Sequence, residues 1–162
     1  LIIKNLFGTL SAKKIGILGF SFKANTNDTR ESAAIKICKD LLDEGAHLII
    51  HDPIVKQNQI ANDLGIDQVN KNNHKKNVEV AGQWEIADNL NDVFNDTHAV
   101  VVLTEWKEYS EIEWNKVAKL MRKPSWLFDS RSIIDVVKVK KAGLKLWRIG
   151  DGESSFPKKL HK

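Results

Sequence analysis

A single cysteine, Cys38, stands in this sequence, so an intrachain disulfide is excluded and a reducing, cytoplasmic setting is expected. No apolar run approaches the length of a membrane span. The first residues, Leu1 to Phe7, lack the cationic segment and cleavage site of a secretory signal. They also lack an initiator Met, and they read as the end of a helix whose start lies upstream. There is no P-loop, no hydrolase nucleophile elbow and no paired-cysteine motif. Basic residues are not clustered with stacking aromatics, which argues against a nucleic-acid face. The net charge of +4 therefore reads as a lysine-rich, solvated surface. The densest basic cluster, Lys158 to Lys162, reads as a frayed tail.

What is present suits one ordinary domain: 162 residues, 42% of them hydrophobic. Short apolar runs alternate with helix-spaced apolar positions. Lys14 to Gly19, His47 to Ile50, Ala99 to Leu103, Trp126 to Phe128 and Leu144 to Ile149 read as strands. Trp84 to Ala87 reads as a short edge strand. Between the first two strands, Ala34, Ile37, Cys38, Leu41 and Leu42 share a helical face. Asp28 with Glu31 suggests a capping box at the helix start, and Gly45 a stop. Residues 54–64 and 134–140 read as short helices. Ser110 is expected to cap a helix in which Trp114, Val117, Ala118 and Met121 share a face. The stretch from Gly65 to Lys76 reads as an exposed loop. This order predicts an α/β fold: a Rossmann-like, mostly parallel sheet with helices on both faces. Residues 11–150 are expected to form the domain, with residues 1–10 a helical lead-in and 151–162 a tail.

In such sheets ligands bind outside the carboxyl ends of the strands. That rule selects residues 19–30, 51–55, 104–109 and 129–133. The first connection is longer than usual. It is not a dinucleotide fingerprint, because Gly19 is followed by Phe20-Ser21-Phe22-Lys23 instead of further glycines. It offers Lys23 as a compact cationic donor and Arg30 beside a helix start. The equal alternative is that Phe20 and Phe22 are core residues and both cations are merely solvated. Arg131 follows a buried strand, and its fork suits a diphosphate or sugar hydroxyls; a local Arg131–Asp129 ion pair is the alternative. Asp52 occupies a place where dinucleotide folds carry a ribose-binding acid, but Asp before Pro is more readily a turn residue. Cys38 reads as a buried thiol. His51 and Asp52 point to opposite faces of a strand, so no metal site is expected there. Glu105 and Trp106 either line a pocket or, for Trp106, pack over the sheet end.

The segment Gly19-Phe20-Ser21-Phe22-Lys23-Ala24-Asn25-Thr26-Asn27-Asp28-Thr29-Arg30-Glu31-Ser32 closely resembles the C-terminal domain of the UDP-glucose/GDP-mannose dehydrogenase family. His51-Asp52-Pro53, Leu103-Thr104-Glu105-Trp106 and Phe128-Asp129-Ser130-Arg131 agree in order and spacing. The resemblance covers essentially residues 1–150. It implies a UDP-binding domain of an enzyme that oxidises the C6 hydroxyl of a nucleotide sugar to a carboxylate by two hydride transfers to NAD. UDP-glucose, giving UDP-glucuronate, is the expected substrate. A GDP-mannose or UDP-N-acetylmannosamine dehydrogenase is the sister reading, and a non-catalytic nucleotide-binding or dimerisation module the reading of another class. By resemblance, an N-terminal domain of the same protein holds NAD and the catalytic Cys, so no catalytic residue and no metal ligand is expected here. Phe22, Lys23 and Arg131 match substrate-binding positions, and Arg30 matches an Arg that reaches toward NAD. Where the family often has a second Arg, this chain has Ser132. The resemblance also implies a homo-oligomer when full length, with residues 1–10 the end of an inter-domain helix.

Overall fold

The computed structural model describes Ile2, residues 8–68 and residues 82–151. Most of the expected inter-domain helix, part of the polar loop after Gly65 and the tail from residue 152 lie outside the described residues. Six strands form one sheet: β1 (Lys14–Leu18), β2 (His47–His51), β3 (Gln83–Ile86), β4 (Ala99–Val102), β5 (Trp126–Asp129) and β6 (Lys145–Arg148). They lie in the order β3-β2-β1-β4-β5-β6, and every neighbouring pair is parallel. The order reverses between β1 and β4, which makes their carboxyl ends the topological switch point.

Side chains alternate between two cores because successive strand residues point to opposite faces. Ile15, Ile17, Leu48, Ile50, Val101 and Phe128 join one buried cluster with α1 (Ala33–Asp43) and α2 (Gln57–Leu64). Leu18, Val100, Val102, Leu127 and Leu146 join the other. That second face is covered by a 3-10 turn (Leu90–Val93), α3 (Lys107–Ser110), α4 (Trp114–Val117) and α5 (Val136–Lys141). A Cβ added at Gly16 would lie 2.4 Å from the Val93 carbonyl oxygen. The 3-10 turn therefore rests directly on strand backbone, and a side chain at Gly16 would displace it.

Two cap expectations are corrected. α1 begins at Ala33, and its N-cap is Ser32, whose Oγ accepts from the Ala34 N–H at 3.2 Å. A capping box at Asp28 and Glu31 cannot form. The Asp28 carboxylate is taken by the backbone and side chain of Arg30, and Glu31 sits in the left-handed region at φ 61°. Ser110 ends α3 instead of starting the next helix, donating from Oγ to the Lys107 carbonyl at 2.6 Å. The apolar face expected beyond it is present: Trp114, Val117, Ala118 and Met121 are all buried in the second cluster. Beyond Val117 the chain leaves α-helix.

Candidate ligand site at the strand ends

The exit of β4 folds back over the exit of β1. The backbone N–H groups of Leu103 and Thr104 both donate to the Leu18 carbonyl, at 2.9 and 3.4 Å. Thr104 Oγ1 donates to the Ser21 carbonyl at 2.7 Å. Gly19 has φ 93°, and a Cβ there would lie 2.3 Å from the Cβ of Thr104. In a dinucleotide site this spot is left open so that a pyrophosphate can approach the backbone. Here Thr104 fills it, in agreement with the missing glycine fingerprint. The residues present do not form a dinucleotide cradle at the switch point.

Asp52, at the exit of β2, stitches this region together. Its Oδ2 accepts from the N–H groups of Phe20 (2.8 Å) and Ser21 (3.0 Å), from Ser21 Oγ (3.1 Å) and from Trp106 Nε1 (3.3 Å). Its Oδ1 accepts from the N–H groups of Ile54 (3.0 Å) and Val55 (2.9 Å). Burial pushes the Asp52 carboxyl pKa up, but the backbone donors outweigh it and hold the pKa below its ordinary value. The sequence reading of Asp52 as a turn residue accounts for Ile54 and Val55 alone. Its ties to the β1 loop and to Trp106 have no signature in local spacing. Trp106 packs over the sheet end as expected, 7% exposed.

His51 turns away from this cluster. Its Nδ1 lies 3.0 Å from the hydroxyl of Tyr109, which donates to the His51 carbonyl at 3.1 Å. Among the described residues no group of three potential ligands could hold a metal ion. Cys38 is fully buried, and burial pushes its thiol pKa upward.

Beyond Ser21 the long loop turns to solvent. Phe20 is fully buried but Phe22 is 50% exposed, so the pair is split between core and surface. Lys23 and Arg30 are both exposed. Arg30 pairs with Asp28, donating from Nε at 3.0 Å and from Nη2 at 2.8 Å, and these bonds hold the Asp28 carboxyl at a pKa of about 2. Lys23 adds a weaker pull on the same carboxylate. Gln59 of α2 steadies the far side of the loop, donating to the Asn27 carbonyl and to Thr29 Oγ1 at 2.8 and 3.0 Å.

Arg131 does not pair with the side chain of Asp129. The Asp129 carboxylate accepts instead from the backbone N–H groups of Arg131 and Ile134, both at 3.0 Å. Ser130 Oγ clamps the same turn to the Val102 carbonyl at 2.6 Å. The Arg131 guanidinium crosses to β4 and pairs with Glu105. Residues 105 and 131 follow neighbouring strands whose ends are in register, Val102 opposite Asp129. Lys23 and Arg131 thus follow the exits of β1 and β5, the strands on either side of β4. A groove of about 640 Å³ opens on the α1 face of the sheet, lined by Ile37, Leu41, Val101, Phe128 and Trp147 and reaching Leu103 and Ser130 at the strand ends. It is mostly apolar and does not contain these cations.

Residues 16–136 match the UDP-glucose/GDP-mannose dehydrogenase family, UDP binding domain. The chain belongs to this family. It is 41% identical over 149 residues to the UDP-glucose 6-dehydrogenase of Drosophila melanogaster, covering 92% of this chain and 30% of that protein. The enzyme of the same name from Bos taurus is 41% identical over 156 residues, covering 95% of this chain and 31% of the relative. The chain thus spans under a third of these family members, the part that carries the UDP-binding domain. Two examples illustrate the solved structures that share its fold. One is the NDP-N-acetyl-D-galactosaminuronic acid dehydrogenase of Methanosarcina mazei Go1 (TM-score 0.68, 23% identity, 91% of this chain, 26% of that one). The other is a UDP-glucose dehydrogenase of Pyrobaculum islandicum (TM-score 0.60, 20% identity, 91% of this chain, 27% of that one). Among the described residues of this UDP-binding domain, no helix is long and apolar enough to cross a membrane.

Proposed function

We propose that this chain is the nucleotide-sugar-binding domain of an NAD-dependent dehydrogenase that oxidises UDP-glucose to UDP-glucuronate in two hydride transfers. One observation carries the reading: within the stretch that matches the family's UDP-binding domain, the loop after β1 presents Phe22 and Lys23 to solvent beside a buried, hydrogen-bonded base. Phe22 offers an aromatic face and Lys23 a charge for the diphosphate. Arg131 supplies donors for the substrate from the far side of β4. Arg30, on the outer side of the loop, reaches toward NAD held by an N-terminal domain. The filled switch point agrees with a cofactor bound elsewhere. The buried Cys38 takes no part in the chemistry. A cytoplasmic, homo-oligomeric parent protein completes the reading.

Calorimetric titration of this chain with UDP-glucose tests it. Saturable binding is expected, tighter than for GDP-mannose or UDP-N-acetylmannosamine. Steady-state NADH formation by this chain with UDP-glucose and NAD should stay at background. Failure to bind any of the three nucleotide sugars would overturn the proposal. A preference for either competitor would move the substrate assignment to the sister enzymes.

A further inference from the structure

The pair between Arg131 and Glu105 carries a further inference, which rests on the functional reading above. We propose that Glu105 is a specificity-determining residue. By cancelling the charge of Arg131, it makes that guanidinium a donor for an uncharged, hydroxyl-bearing sugar and disfavours the uronate into which the sugar is oxidised.

The geometry supports this in three ways. First, Nε and Nη2 of Arg131 both meet the same carboxylate oxygen, Glu105 Oε2. One edge of the guanidinium is thereby occupied while the Nη1 edge stays available to a ligand. Second, the pair is built by the fold and not by local sequence. The two residues lie 26 positions apart and meet because β4 and β5 are neighbours. Backbone bonds to Asp129 and the Ser130 clamp fix the turn that aims Arg131. Third, the two side chains are 37% and 35% exposed. A pair so open to water adds little to stability. Its consequence lies in what the site recognises.

Lys23 makes the contrast. Among the described residues no ion pair involves it, and its charge adds only a weak pull on the already paired Asp28. One site thus holds an uncompensated cation at the exit of β1 and a compensated one at the exit of β5. A nucleoside diphosphate sugar has the matching polarity, an anionic diphosphate joined to a neutral ring. Oxidation of that ring to a uronate adds a carboxylate, and an Arg131 already neutralised by Glu105 has no net charge left to attract it.

Calorimetry on this chain with UDP-glucose and UDP-glucuronate tests the proposal in wild type, Glu105→Gln, Glu105→Asp and the double variant Glu105→Gln/Arg131→Gln. Wild type is expected to favour UDP-glucose. Glu105→Gln should shift the ratio of the two affinities toward UDP-glucuronate by about tenfold. Glu105→Asp should keep the wild-type preference, and the double variant should show none of the shift, because Glu105 acts through Arg131. Wild-type binding with an unchanged ratio in Glu105→Gln overturns the role of Glu105 and leaves the functional reading intact. The same shift in the double variant overturns it too, since Arg131 is then not involved. Absence of binding of either ligand to wild type overturns the functional reading, and this inference with it.

Discussion

Residues 19–21 and residues 22–30 belong to one loop but are held by different forces. The first three are buried and cross-linked to the exits of two other strands. Phe20 and Ser21 donate to Asp52, the Ser21 carbonyl accepts from Thr104, and Gly19 packs against Thr104 with no room for a Cβ. Of the following nine, all but the buried Thr29 reach solvent, and they are bonded mostly to one another, with Gln59 the link to α2. The difference teaches how a flat sheet edge becomes a recognition surface. A buried, cross-linked root fixes where the tip emerges, and the exposed side chains of Phe22 and Lys23 are open to a ligand.

The largest expected effect breaks the root. Asp52→Ala leaves four backbone N–H groups, those of Phe20, Ser21, Ile54 and Val55, without their acceptor. The loss should be about 3 kcal/mol or more in urea unfolding, with nucleotide-sugar binding lost as well. A loss under about 1 kcal/mol would show that the root is not the anchor described here. Acid should reveal the same group. The folded pKa of Asp52 is depressed, so its contribution is present above the unfolded value and is lost as pH falls below about 4. Asp52→Asn should flatten the fall of stability in that range.

Gly19→Ala is the next step down. Its positive φ and the overlap with Thr104 both penalise a methyl group. A destabilisation of about 2–3 kcal/mol is expected in the same unfolding experiment. Partial reversal by Thr104→Gly, which removes the Cβ and Oγ1 that the methyl group would meet, would locate the strain in the Gly19–Thr104 contact; no reversal would locate it in the backbone conformation.

Substitutions at the tip should behave in the opposite way. Lys23→Ala should leave unfolding within about 0.5 kcal/mol of wild type, since the side chain is exposed. It should weaken UDP-glucose binding by about tenfold or more, the usual effect of losing a charged donor. Equal affinity for wild type and Lys23→Ala would remove Lys23 from the site. Arg30→Ala should change neither quantity in this chain, because Arg30 points at Asp28 and is assigned to a cofactor bound outside this domain.

Why the tip was legible in the sequence and the root was not follows from the same contrast. Short-range patterns marked the strands, the face of α1 and the overlong connection after β1. They also placed Lys23, Arg30 and Arg131 at strand ends, since that requires only the strand positions and the α/β rule. Asp52 and Glu105 act on partners 26 to 54 positions away. Such ties depend on which strands become neighbours, and the reversal between β1 and β4 is a property of topology. The failed capping box has a similar origin. Asp28 and Glu31 have the right spacing, but Arg30 takes the Asp28 carboxylate and the helix is capped by Ser32. Spacing cannot tell which of two nearby groups wins a shared acceptor.

The smallest effect offers the sharpest separation of root from tip. Asp28 and Asp52 both have depressed pKa values, for unlike reasons. Arg30 holds Asp28 at about 2, whereas buried backbone donors hold Asp52 down against the opposing effect of burial. Arg30→Ala should therefore raise the Asp28 pKa part-way toward its ordinary value, the bond from the residue 30 backbone surviving. Asp52 should not move. High salt should act in the same direction on Asp28, because screening loosens an exposed pair and hardly reaches a buried one. Carboxyl-carbon NMR titrations of wild type and Arg30→Ala read both groups in one experiment. Movement of Asp52 by more than about 0.3 unit would mean that the tip is electrically coupled to the root. The two halves of the loop would then have to be treated as one cooperative element.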